Sequence, residues 1–313
     1  MKSRLLRRLV LIPLALCLVA GKRRAEVPPS PPMTAESAVA AMADSFALDV
    51  DIAIIEVGAP PLAPLRYLPR GGTEGTTRTT QTTTVAMTVV GPDGKQIPVP
   101  VPGVQAPTVV DMRWRVDGPD DAGACRVHQS FDSDNPLVGA AVEGSIDYVV
   151  DAQGHASGFV VESNDPTTRQ LLERMLDGLS AALTIFPSES IGVGGRWLTT
   201  MDMSMIGMSI HAETTQTLVE RSGDHVVFDS ATVFTQGKGD LAFPGMPSGM
   251  TVVFDHFEGT GTGRFDVNLS SLVTSGRMTS DLSIGMTMSA APMPGPMTLD
   301  GTIHMDVLTE SVQ

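Results

Sequence analysis

Aromatic residues are scarce in this chain: two Trp, two Tyr and ten Phe among 313 residues. So few rings cannot fill a core alone, and eighteen methionines stand ready as flexible apolar filler. Cysteine is nearly absent. Of the two, Cys17 falls in the N-terminal apolar run, which leaves Cys125 with no partner for an intrachain disulfide and excludes a multi-cysteine metal site. Basic residues are also few. Seven of the 21 Lys and Arg lie within Met1–Arg24; the chain beyond carries the other 14 against 35 acidic residues, a formal charge near −21. Such a surface repels nucleic acid and anionic lipid head groups, which excludes both as partners.

Sequence motifs for chemistry are missing too. There is no Gly-x-Ser-x-Gly elbow, no phosphate loop and no His-Glu-x-x-His. The histidines His128, His155, His211, His225, His256 and His304 are scattered singly. Asp132-Ser133-Asp134-Asn135 starts like a calcium loop, but Pro136 stands where a ligand belongs and the closing Glu is absent. No catalytic residue, cofactor or metal is expected. Thioethers bind Cu(I), yet Met201, Met203, Met205, Met286 and Met288 fall where strand alternation demands core residues, so core filler is the reading adopted.

What is present begins with an export signal over residues 1–21. Lys2, Arg4, Arg7 and Arg8 precede an apolar run from Leu9 to Ala20, too short to span a bilayer of about 30 Å comfortably, and Val19-Ala20-Gly21 offers small residues for cleavage. The protein is expected in the periplasm, outer envelope or extracellular space, with no membrane-spanning segment after removal of the leader. Residues 22–75 read as a Pro-rich arm with a short helix over Thr34–Leu48, a strand over Asp49–Val57 and a loop over Gly58–Gly75.

Residues 76–313 read as one β-rich domain. Strand patterns cover Thr76–Val90, Val109–Val116, Ala124–Phe131, Val142–Val150 and Ala156–Ser163. Longer ones follow at Trp197–Met205, Met208–Glu220, His225–Gln236, Met250–Leu269, Arg277–Ser289 and Met297–Leu308. Clean alternation of apolar and polar residues marks antiparallel sheet with one dry face and one wet face. Gly259, Gly261 and Gly263 suit a bend within the longest of these strands. Between the two groups, residues 165–186 carry helix signals. Asp165 caps, Pro166 fits the first turn, Leu172, Met175, Leu176, Leu179, Leu183 and Phe186 form a stripe, and Pro187 stops it. The expected class is α+β, a curved antiparallel sheet packed on this central amphipathic helix; a β-sandwich with one helix is the alternative.

The segment Phe186-Pro-Ser-Glu-Ser-Ile-Gly-Val-Gly-Gly-Arg-Trp197 resembles a family of bacterial exported proteins in which a helix ends in Pro and a Val-Gly-x-x-Trp segment opens the next strand. Gly259–Leu282, with its Gly, Phe-Asp and Leu pattern, is similar to the same family, which brings no assigned activity. The strand and helix order is also similar to the half-open barrels of periplasmic lipoprotein carriers, as a fold analogy only. Two functions are open at this point. One is binding of a lipid or other apolar ligand between helix and sheet. It would be lined by Leu172, Met175, Leu176 and Leu179 from the helix, and by Met201, Met203, Met205, Met278, Leu282, Ile284, Met286 and Met288 from strands. The other is a non-enzymatic structural or interaction protein of the envelope with a fully packed core, meeting another envelope protein through its surface.

Overall fold

A computed structural model describes residues 48–99, 107–120, 123–135, 140–164, 169, 184–205, 208–236, 239–241, 250–290 and 295–312. In chain order its strands are β1 (Leu48–Glu56), β2 (Ala59–Pro64), β3 (Thr73–Val90), β4 (Gln96–Val99), β5 (Thr108–Val116), β6 (Cys125–Asn135), β7 (Ala140–Val150) and β8 (Ala156–Glu162). Then come β9 (Ser190–Val193), β10 (Arg196–Met205), β11 (Met208–Ser222), β12 (His225–Gln236), β13 (Gly239–Leu241), β14 (Met250–Asn268), β15 (Val273–Ala290) and β16 (Met297–Val312).

Fourteen strands make one antiparallel sheet in the order β1-β10-β11-β12-β14-β15-β16-β3-β5-β6-β7-β8, with β4 on β3 and β13 on β14 off that path; β2 and β9 pair separately. Neighbours along the sheet are mostly successive hairpins. The exceptions are β1, seated on β10, and the joint at which β16 pairs with β3 from Thr298↔Val90 to Val312↔Thr76. That joint fuses two meanders, β10 to β15 and β5 to β8, through the last strand. Leu48–Glu56, expected in the N-terminal arm, is part of this sheet.

The α+β expectation is corrected by this arrangement. The described residues are almost entirely antiparallel strand, and Arg169 alone among them is helical. Ile185 and Phe186, expected in the last turn of a helix over 165–186, lie outside any helix and are buried in the connection to β9. The apolar stripe at those positions records burial, and burial is met here by an irregular segment packed on strands. Leu172, Met175, Leu176 and Leu179 lie outside the described residues. The alternative of a β-sandwich with one helix meets the same correction, since the described residues hold no such helix.

The sheet rolls at one end. Tyr67 N–H donates to the Ala152 carbonyl at 2.8 Å, and the next amide, Leu68 N–H, donates to the Leu269 carbonyl at 2.8 Å. Ala152 follows β7 and Leu269 follows β14, and these strands are six steps apart in the sheet. A flat sheet would separate them by about 29 Å at about 4.8 Å per step. Successive Cα atoms are only about 3.8 Å apart, so the two strand ends must curl toward one another. The strap Leu65–Gly72 holds them there, aided by Gly72 N–H to the Val116 carbonyl at 2.9 Å and Phe186 N–H to the Gln153 carbonyl at 2.8 Å.

Inside this rolled end lies the core that the few aromatics build. Leu65, Tyr67, Phe186, Ile191, Trp197, Leu218, Val226, Phe228, Val267 and Leu269 form one buried cluster. Ring centroids are 5.0 Å apart for Tyr67 and Phe186, 6.2 Å for Phe186 and Trp197, and 6.1 Å for Trp197 and Phe228. A second cluster gathers Val116, Cys125, Val127 and Val150, and Leu272 packs on both. Leu272 holds φ 57°, a conformation costing a non-glycine residue about 1–2 kcal/mol; its contact with both clusters offsets this. Burial, and then the Asp120 charge, push the Cys125 thiol up, which makes it an inert core residue.

Tyr67 is buried and Tyr148 is half-buried. Burial raises the Tyr67 hydroxyl far above its ordinary value and pushes Tyr148 up to about 12. A raised phenol contributes stability that is complete below its unfolded value of about 10 and is lost as pH climbs toward the folded value. In an alkaline titration, phenolate absorbance is therefore expected to stay flat through about pH 10 and then appear in one step, together with loss of near-UV dichroism. A gradual titration centred near the ordinary value in still-folded protein would place the rings in water.

Candidate functional site

Strand alternation and register sort the residues onto two faces. The aromatic face carries Trp197, Phe228 and Phe265, and Met201, Leu282, Ile284, Met286 and Met288 share it. Ile284, Met286 and Met288 are 4%, 2% and 2% exposed. Met286 stands between Phe254 and Leu299, and Met288 between Val252 and Met297. Met201, Met278 and Leu282 are half-buried. Met203 and Met205 lie on β10 at the same parity as Met201, with only their backbone positions described. The strand residues expected to line an apolar pocket thus do share one face, and the innermost of them are already covered. One polar anomaly sits among them. The Ser280 hydroxyl and the Gln236 amide are buried with no hydrogen-bond partner among the described residues.

A cavity of about 570 Å³ opens on the other face. Its walls are two neighbouring register rows crossing five strands, β12, β14, β15, β16 and β3. One row is Val233, Thr260, Asp281, His304 and Thr84; the other is Thr235, Glu258, Ser283, Thr302 and Ala86. Backbone of Phe234, Gly259, Leu282 and Ile303 runs between the rows. The cavity is therefore a furrow running across the strands, where the sheet is creased.

Glycine lets two strands close up beneath the furrow. At Gly259 the β14 and β15 backbones approach so closely that a Cβ would collide with the Asp281 carbonyl and lie 2.9 Å from the Leu282 Cα. A register shift between Phe254 and His256 adds a bulge next to it, and bulges bend the strand that carries them. Opposite the bulge, Gly285 leaves room for the His256 ring.

Polar groups line the furrow in cross-strand pairs. His304 Nδ1 lies 2.7 Å from Asp281 Oδ1. At the end of the furrow, His256 Nε2 and Ser283 Oγ are 3.1 Å apart. Glu258 is exposed, and no ion pair is recorded for it among the described residues. No Lys or Arg lines the furrow, and no group of three His, Cys, Asp or Glu suited to a metal occurs among the described residues. The remaining histidines pair with aspartates elsewhere: His128 with Asp147, His155 with Asp151, His211 with Asp202 and His225 with Asp266. Hydrogen bonds donated to the carboxylates of Asp202 and then Glu213 push the pKa of the His211 imidazole up.

Sequence reasoning missed the furrow. Its ten walls are single polar or small residues from five strands, and only the register aligns them. The available signal was Asp281 and His304, each on the polar face of its strand, but nothing local sets them opposite each other. Comparison with known protein families finds no match, and neither does comparison with curated proteins. No helix among the described residues is long and apolar enough to cross a membrane.

Proposed function

We propose that this chain is an exported, non-enzymatic interaction protein of the bacterial envelope or extracellular space, and that it docks a partner in the furrow on its threonine-rich face. One observation carries the reading. Ile284, Met286 and Met288, the innermost apolar side chains expected to hold a ligand, are buried at 2–4% exposure, whereas a cavity among the described residues opens on the opposite face. Export is supported by the basic and apolar composition of residues 1–21, and by the resemblance of Phe186–Trp197 to a family of exported proteins.

A second reading, an apolar ligand seated against the aromatic face, is favoured by the unpartnered Ser280 hydroxyl and Gln236 amide. Each unmet buried polar group costs about 1–3 kcal/mol, and a ligand with a polar head would relieve it. Native mass spectrometry of protein recovered from the exported fraction separates the two. The expected mass is that of polypeptide alone, beginning near Gly21 or Lys22. A co-purifying lipid, lost in Ile284→Trp, would replace furrow docking with apolar carriage. An intact Met1 would remove the export step.

A further inference from the structure

We propose that the furrow takes an extended, basic segment of a partner protein. Its Lys or Arg heads lie on Glu258 and Asp281, and its aliphatic groups lie on Val233 and Ala86. This rests on the reading of the furrow as the docking surface, and adds the chemical class of the occupant.

Length comes from the register. Five strands give four steps of about 4.8 Å, so the furrow is about 19 Å long, room for about six extended residues at about 3.3 Å each. Direction comes from hydrogen bonding. The strands under the furrow are central in the sheet, with ladders on both sides, so no row of unpaired backbone groups is on offer. A peptide cannot add a strand here, and recognition falls to side chains. In an extended segment alternate side chains point down, so about three enter the furrow.

Charge selects the occupant. The furrow holds the carboxylates of Glu258 and Asp281, the imidazole of His304, and no Lys or Arg. The chain as a whole carries a formal charge of −14, so a second copy of it is repelled from this site. Val233 is 47% exposed on the furrow wall, and the methyls of Ala86 and the threonines extend that apolar surface. Lys and Arg side chains suit such a site because their stems cover apolar surface while the heads stay on the carboxylates.

The test uses the full mature protein and two fluorescein-labelled hexapeptides, alternating Lys-Val and alternating Glu-Val, read by anisotropy. The Lys-Val peptide is expected to bind saturably, and more weakly as salt is raised. Glu258→Gln combined with Asp281→Asn should weaken it about tenfold, which two surface ion pairs together supply. Thr302→Trp, and separately Ala86→Trp, should block it; both positions face solvent, and an unchanged melting temperature confirms that each variant folds. If Glu-Val binds and the Trp variants block it, the basic class is wrong while furrow docking stands. If Lys-Val binds and neither Trp variant affects it, furrow docking itself is wrong. If neither peptide binds, the proposal is overturned.

Discussion

Trp197→Ala is expected to lower stability by about 3–5 kcal/mol, the usual cost of truncating a buried large ring. Trp197 is 0% exposed, and its ring contacts those of Phe186 and Phe228 at 6.2 and 6.1 Å. It sits near the start of β10, where Gly194, at φ 81°, turns the chain out of β9. Trp197→Phe should cost much less. The indole Nε1 has no partner among the described residues, so that change removes an unmet donor along with some volume. Denaturant unfolding followed by dichroism gives both values. A midpoint for Trp197→Ala equal to wild type would show that the cluster does not stabilise the fold.

Tyr67→Ala should be of similar size, and it should act on different elements. Tyr67 is 2% exposed, with its ring 5.0 Å from that of Phe186 and its hydroxyl donating to the Thr184 carbonyl at 3.2 Å. Beyond a cost of about 3–5 kcal/mol, the loss frees the strap that ties the β7–β8 turn to the β14–β15 turn. Hydrogen exchange is therefore expected to speed up at Asp151–His155 and Leu269–Ser271 more than in the middle of β15. Tyr67→Phe keeps the ring and drops one hydrogen bond, which should cost about 0.5–1.5 kcal/mol and leave the exchange pattern alone. Uniform acceleration across all strands in Tyr67→Ala would mean that the strap is not a separate tie.

Strand positions were largely legible in the sequence. Val142–Val150, His225–Gln236, Met250–Leu269 and Met297–Leu308 show period-two alternation, and the strands found there begin and end close to the expected residues. Gly259 was legible as a special position, since a glycine inside strand pattern marks a bend or a close approach of backbone, and the close approach is what the structure shows. The class was not. The stripe through Leu172–Phe186 has helical spacing, but its last member, Phe186, serves the aromatic core from an irregular segment together with Ile185. Leu65 and Tyr67 were hidden among prolines and read as loop, although an apolar pair at every second residue was a usable sign of burial. The furrow was illegible in principle. Its walls need the pairing of β16 with β3, between residues more than two hundred apart, and no local pattern specifies that partner.

That pairing sets an order of events for a chain that emerges N-terminus first. The β5 to β8 meander and the β10 to β15 meander each consist of hairpins and can form as soon as their own residues are available. Their sheets cannot be joined edge to edge until Met297–Val312 arrives, because that strand alone lies between β15 and β3. Two half-sheets, each with a bare edge, must therefore wait for the final strand, and bare edges invite pairing with other chains. Pairings of such long sequence separation also form slowly. The hydroxyl- and charge-rich faces of β3 and β15, with Thr80, Thr82 and Thr84 on one and Thr279, Asp281 and Ser283 on the other, would keep the waiting strands hydrated until the seam closes.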